Sequence, residues 1–186
     1  MAIRGIVVAG GSSKRFGRNK LVEMVDGTEL RHHSIAAAST ACENVIVVGF
    51  DVETNYSNVT VVRENPPGSG PFAAVAAGID ELAPETDDVI VVLAGDLVSP
   101  SDALPALIHA VTNSSADAAV IVDAHRRRQP LLACYRASAL LTLFASTDPV
   151  NRPAMQLLDG LHVIEVSDGG DWSRDIDTPA DLESSP

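Results

Sequence analysis

Aromatic side chains are scarce in this chain, with one Trp, two Tyr and four Phe among 186 residues. Large rings therefore cannot fill the interior, and Ala and Val supply much of the apolar volume. A hydrophobic fraction of 46% argues against wholesale disorder. The mix suits short buried strands covered by Ala-rich helices. Cysteine is scarce too: Cys42 and Cys134 fit no metal or redox spacing and no disulfide framework, and their apolar neighbours predict buried, inert thiols. The five histidines show no i, i+4 pairing around a glutamate and no zinc spacing. Ser12 and Ser13 have no His and Asp partner set for nucleophilic catalysis.

Positive charge is the third shortage. Thirteen Lys and Arg face 25 Asp and Glu, giving a formal net charge of −12, which speaks against DNA or RNA as the main partner. A single nucleotide is still compatible, because the few cations are bunched: Lys14, Arg15, Arg18 and Lys20, then Arg126, Arg127 and Arg128. Each bunch reads either as a phosphate grip or as a solvated loop. No apolar run reaches the ~18–20 residues that cross a membrane. Met1–Arg4 leads into a strand-like segment with no signal-peptide plan, so the expected setting is a reducing cytoplasm without membrane attachment.

What is present is an alternation. Strand-like runs lie at Ile3–Ala9, Asn44–Phe50, Val59–Arg63, Val89–Ala94, Ala118–Asp123, Leu131–Tyr135 and Val163–Val166. Several are unbroken Val/Ile runs, the pattern of strands buried on both faces. Helical stretches separate them at Thr28–Cys42, Pro71–Leu82, Ser101–Thr112 and Ala137–Ala145, with shorter ones at Pro153–Leu158 and Pro179–Glu183. Ser101 is the expected N-cap of its helix. The alternation predicts one α/β domain over residues 1–183 and a tail at 184–186, built as a three-layer Rossmann-like fold around a mainly parallel mixed sheet. Ligand then belongs at the carboxyl ends of the strands.

Chemistry concentrates at those ends. The first strand runs into Val8-Ala9-Gly10-Gly11-Ser12-Ser13-Lys14-Arg15-Phe16-Gly17-Arg18-Asn19-Lys20. Paired glycines let backbone N–H groups approach phosphate oxygens, and Arg15 and Lys20 add fixed charge. A tight turn alone is the competing reading. Val91-Val92-Leu93-Ala94-Gly95-Asp96 ends a buried strand in a carboxylate suited to Mg²⁺ or to capping. Thr178-Pro179, after Asp175 and Asp177, also reads as a helix start.

These segments resemble the molybdenum cofactor guanylyltransferase (MobA-type) family of the nucleotidyltransferase superfamily. The loop is similar to L-A-G-G-x-S-x-R-[MF]-G-x-[DN]-K, with Val8 in place of Leu. Glu64, ahead of Gly70-Pro71, stands where the family carries an acidic nucleotide-binding residue, usually Asp. Gln129-Pro130-Leu131-Leu132-Ala133-Cys134-Tyr135-Arg136 resembles its Q-P-L-x-x-x-Y-R stretch beside the acceptor, and Arg174-Asp175-Ile176-Asp177-Thr178-Pro179-Ala180-Asp181-Leu182 its D-x-D-T-P-x-D-L close. The resemblance implies transfer of GMP from GTP to molybdopterin, plain or metal-loaded, with Mg²⁺ as cofactor and passing contact with molybdoenzymes or other cofactor-assembly proteins. It implies Arg15, Lys20 and Asp96 as catalytic residues. Val8, Ala9, Gly10, Gly11, Ser12, Lys20, Glu64, Gly70 and Asp96 would bind nucleotide, Asp96 and Asp177 metal, and Gln129 and Arg136 the acceptor. Guanylyl members carry Ala-Gly-Gly after the first strand and cytidylyl members Ala-Ala-Gly, so Ala9-Gly10-Gly11 points to GTP. A cytidylyl enzyme, another small-molecule nucleotidyltransferase and a nucleotide-binding module without turnover are the alternatives.

Overall fold

The computed structural model describes residues 1–10, 16–49, 52–176, 178, 180 and 181. In chain order the elements are β1 (Ile3–Ala9), β2 (Met24–Val25), β3 (Thr28–Glu29), α1 (Leu30–Ala41), β4 (Asn44–Gly49), β5 (Val59–Val62) and α2 (Pro71–Leu82). There follow β6 (Val89–Ala94), α3 (Leu104–Thr112), β7 (Ala118–Val122), β8 (Arg128–Arg136), α4 (Ala137–Ala145) and β9 (Val163–Ser167). Single 3₁₀ turns form at Lys20–Val22, Pro100–Ala103 and Ala154–Leu158.

Seven strands form one sheet in the order β5-β4-β1-β6-β8-β7-β9. All its pairings are parallel except those of β8, which runs antiparallel to both β6 and β7. The predicted mainly parallel mixed sheet is what forms. Side chains of β1 alternate between two cores, as the period of two requires. Val7 and Ala9 pack with Ile35, Leu104 and Leu107 of α1 and α3, while Ile6 and Val8 pack with Phe72, Val75 and Leu140 of α2 and α4. Helices thus cover both faces, giving three layers. Each fully buried Ile, Leu or Val contributes about 1.5–3 kcal/mol, so this double-sided burial fixes the register of the central strands.

β1 lies between β4 and β6, with Val8 opposite Val48 on one side and Ala94 on the other. The chain leaves β1 toward β4 and β5, then returns on its far side as β6. This reversal of winding opens a crevice at the carboxyl ends of β1 and β6.

Several expected boundaries differ. Thr28 and Glu29 belong to a hairpin with β2, so α1 begins at Leu30. Ser101 caps no helix: it lies inside the 3₁₀ turn that precedes α3, and no side chain caps either. The stretch 153–158 is a 3₁₀ turn rather than an α-helix. β8 starts at Arg128, earlier than expected, because its pairing with β7 continues across a register shift between Val120 and Ile121. Of the expected helix at 179–183, Ala180 and Asp181 are helical, and the rest lies outside the described residues. Cys42 and Cys134 are buried free thiols. Burial pushes the Cys42 thiol up to about 12, and Cys134 higher still. No helix among the described residues is long and apolar enough to cross a membrane.

Candidate active site

The crevice is assembled by a small third core. Phe16, Val25, Leu30, Val98 and Ile176 bury one another. They join the end of the Gly-rich loop, the β2–β3 hairpin, the start of α1, the segment after β6 and the segment near the carboxyl terminus. Three stretches distant in sequence, around residues 16–30, 98 and 176, thereby reach one edge of the sheet.

On that edge β1 ends in Val8 and Ala9, both buried side chains, so backbone is what this strand end offers a ligand. Gly10 follows. Gly11, Ser12 and Arg15 lie outside the described residues, as does Asp177. Lys20 opens the 3₁₀ turn, whose first amide is capped by Asn19: Leu21 N–H donates to Asn19 Oδ1 at 3.1 Å. The Lys20 ammonium lies 2.7 Å from Asp96 Oδ2, with the two side chains 14% and 21% exposed. This pair has most of its solvent removed yet remains reachable, as a site for an anionic ligand requires.

Asp96 is held from both sides. On one, Gly95 N–H donates to Val8 O at 2.9 Å. On the other, the segment 174–176 runs alongside: Ile176 N–H donates to Asp96 O at 3.3 Å and Val98 N–H to Arg174 O at 3.1 Å, with Leu97 and Asp175 bridged antiparallel. The segment 174–176 is therefore laid against residues 96–98, just beyond the end of β6.

Glu64 is buried, 4% exposed, beyond the end of β5. Its Oε1 accepts from Gly68 N–H at 2.8 Å, whereas Oε2 is buried with no hydrogen-bond partner among the described residues. Both oxygens face Gly10: a Cβ on that glycine would sit 3.9 and 4.0 Å from them. An uncompensated buried carboxylate oxygen is costly, so this one marks a place where a ligand donor is expected. Gly70, at φ 94°, precedes Pro71 and opens α2.

Beside Asp175 lies a cleft of about 1010 Å³, walled by the tip of the β7–β8 hairpin, residues 153–155 and the loop after β9. Gln129 lines it and donates from Nε2 to Asp123 Oδ2 at 3.1 Å. Asp123 organises the hairpin tip by accepting from the amides of Arg127 (2.8 Å) and His125 (2.9 Å). These bonds, the Arg127 amide foremost, hold its carboxyl below the usual range against some burial. Arg127 pairs with Asp123 and Arg128 with Glu165; Arg126 makes no ion pair among the described residues.

Arg136 is corrected. β8 runs antiparallel, so Gln129 and Arg136 stand at opposite edges: Arg136 pairs with Val89, the first residue of β6. Its guanidinium donates to the carbonyls of Ala116 (2.8 Å), Val111 (2.8 Å) and Ser114 (2.6 Å). It closes the carboxyl end of α3 and cannot meet an acceptor in the crevice. Sequence reasoning passed over Asp123 and Asp168, although Asp followed by Gly-Gly or Ala-His is the kind of run in which an Asp side chain caps its own turn.

Residues 5–162 match the family model described as MobA-like NTP transferase domain. A protein of Bacillus cereus strain B4264 named probable molybdenum cofactor guanylyltransferase is 27% identical over 94% of this chain and 90% of its own. One of Bacillus thuringiensis strain Al Hakam with the same name is 28% identical over the same shares. In structure, the chain is similar to molybdopterin-guanine dinucleotide biosynthesis protein A of Archaeoglobus fulgidus: TM-score 0.74, 23% identity, 98% of this chain and 96% of that one.

Proposed function

Since the chain belongs to the MobA-like NTP transferase family, we propose that it moves GMP from GTP to molybdopterin, plain or metal-loaded, releasing pyrophosphate. The observation that carries this reading is the convergence of Gly10, Lys20, Glu64 and Asp96 on one crevice, beside a cleft large enough for a second substrate.

An acceptor phosphate oxygen attacks the α-phosphorus of GTP, and the bond to the bridging oxygen of pyrophosphate breaks. Both reactants are anions, so their repulsion is the first barrier. Lys20 draws the triphosphate to the mouth of β1, with the backbone N–H groups of the Gly-rich loop and Arg15 as the expected further donors. Glu64 presents an acceptor oxygen to a nucleotide donor past Gly10. The acceptor phosphate is already ionised near neutral pH, so no strong general base is needed, in keeping with a crevice built without histidine among its described residues.

Asp96 fits a divalent cation. Mg²⁺ is commonly held by one or two carboxylates together with substrate phosphates, and Asp96 is a hard oxygen donor, part-exposed, at the strand end. Asp177 is its expected companion. When bound, Mg²⁺ neutralises charge on the α-phosphoryl group and the leaving pyrophosphate. Gln129 lies on the acceptor side, in the cleft beyond Asp175.

The test is mass spectrometry of the product after incubation with Mg²⁺, molybdopterin and GTP or CTP, with Asp96→Asn as control. Guanine dinucleotide is expected from wild type, and the variant should lose more in kcat than in nucleotide affinity. A cytosine product moves the chain to the cytidylyl branch; nucleotide binding without any product makes it a binding module.

A further inference from the structure

The loop after β9 is tied together by one carboxylate. Asp168 Oδ1 accepts from the amides of Trp172 at 2.8 Å and Gly170 at 3.3 Å. Its Oδ2 accepts from the amide of Ser173 at 3.0 Å and from the Ser173 hydroxyl at 2.6 Å. Burial opposes the charge, yet these bonds, led by the Ser173 hydroxyl, hold the carboxyl below its usual range. Each end of the knot is fixed. Asp168 N–H donates to Val122 O in the sheet at 3.1 Å, and Arg174 N–H closes the turn on Asp171 O at 3.1 Å. The Trp172 ring lies against Gly169 and Gly170, where an added Cβ would come within 2.9 Å of it. From there the indole packs on the same core as Leu97.

The next three residues are those that flank Asp96: Arg174 O, Asp175 and Ile176 N–H meet Val98 N–H, Leu97 and Asp96 O. This arm lies outside the main sheet. Ile176 anchors its far end in the third core, and its near end continues directly from the knot, with the Arg174 guanidinium also reaching Asp181 O at 3.4 Å. We propose that Asp168 is a positioning residue for nucleotidyl transfer, holding the 174–176 arm in the register that fixes Asp96. The inference rests on the reading of Asp96 as the metal-binding carboxylate of the site. Asp168 touches no reacting atom in this scheme. It acts through the arm, and a displacement of ~1 Å in such a group is enough to cost about 100-fold in rate.

Three variants grade the knot. Asp168→Ala removes all four accepted bonds. Asp168→Asn keeps an oxygen for Trp172 and Gly170 but turns a non-accepting NH₂ toward Ser173. Ser173→Ala removes only the hydroxyl. Expected is a fall in kcat of about 100-fold, about 10-fold and a few-fold in that order, with KM for GTP within about 3-fold throughout. Amide hydrogen exchange at Val98 and Ile176 should quicken in the same order, while amides of β1 and β6 keep their protection. A folded Asp168→Ala protein with wild-type kcat overturns the proposal. So does faster exchange confined to 170–173, or a KM that rises in step with falling kcat. Should Asp168→Ala not fold, wild-type rates in the other two variants overturn it equally. A wild type with no turnover on any nucleoside triphosphate would instead defeat the guanylyl reading, and exchange at Val98 and Ile176 would still decide whether Asp168 holds the arm.

Discussion

Gly10→Ala is a substitution for which folding and function can be separated in advance. Among the described residues a Cβ at Gly10 meets protein only at ordinary contact distances, 3.8 Å from Val48 O and 3.9 and 4.0 Å from the Glu64 oxygens, and the residue is not among those with positive φ. The methyl group therefore clashes with none of the described residues. Because alanine loses less backbone freedom than glycine on folding, the variant should be stabilised by about 0.4–1 kcal/mol. For a chain of this size that raises Tm by roughly 1–4 °C. The methyl does reach toward the space in front of Glu64, where the unpartnered oxygen waits. A base lying there is pushed off by a steric contact worth about 1–3 kcal/mol, or roughly 5- to 150-fold in selectivity. The assay is kcat/KM for GTP and CTP with one acceptor, beside a melting curve. Wild type should prefer GTP, and the variant should narrow or reverse the preference without losing stability. Unchanged selectivity would show that the base is read elsewhere, and a wild type that favours CTP would refute the guanylyl assignment.

Lys20→Ala should lower kcat/KM for GTP by about 10- to 150-fold, the worth of one charge-assisted contact of about 1.5–3 kcal/mol. Wild-type kinetics would remove Lys20 from the site. Arg136→Ala should destabilise the fold by about 2–4 kcal/mol, since three carbonyls lose a charged donor, while the KM for acceptor stays unchanged; a large rise in that KM at wild-type Tm would contradict its placement. At the far edge of the sheet, burial opposes the charge of Asp88, but bonds from Ala2 N–H at 2.6 Å, the Arg4 guanidinium at 2.7 Å and Glu85 N–H hold its carboxyl below the usual range. A depressed folded-state pKa contributes stability that is complete above the unfolded value, about 3.9, and is lost as pH falls through the folded one. Asp88→Asn should thus lower Tm at pH 7 and flatten its decline below about pH 4; an unaltered acid limb would refute this.

The sequence carried the frame of the molecule well where one force dominated. The Val/Ile runs at Ile3–Ala9 and Val89–Ala94 and the Pro-led helix at Pro71–Leu82 have the bounds that periodicity predicts, because burial on both faces leaves such segments no other register. The hairpin of β2 and β3 was hidden, as two-residue strands have no period to read. Its one signal was Asp26-Gly27, whose φ values of 50° and 80° make the tight turn that joins them. At the candidate site, Lys20 was legible from its place in the cation-bearing Gly-rich loop and Asp96 from strand-end position and charge. Glu64 was legible only as a family position, since its burial and its orphaned oxygen depend on where Gly68 and Gly10 fall in space. Arg136 misled for a geometric reason: a motif on one strand says nothing of strand direction, and seven residues of an antiparallel strand carry a side chain from one edge of the sheet to the other.

That reversed strand also separates two kinds of change. The parallel strands β4 and β6 are reached through the covering helices α1 and α2, so altering what they deliver to the ligand edge disturbs a packed layer. β8 needs no such helix. It arrives at that edge directly from β7, and Gln129 and the arginine-bearing tip sit on a turn that can lengthen, shorten or change charge while both cores stay intact. With the cleft assigned to the acceptor as proposed, acceptor choice is loosely coupled to the nucleotide machinery, and the place to graft a new acceptor preference onto this scaffold is the stretch from Asp123 to Gln129.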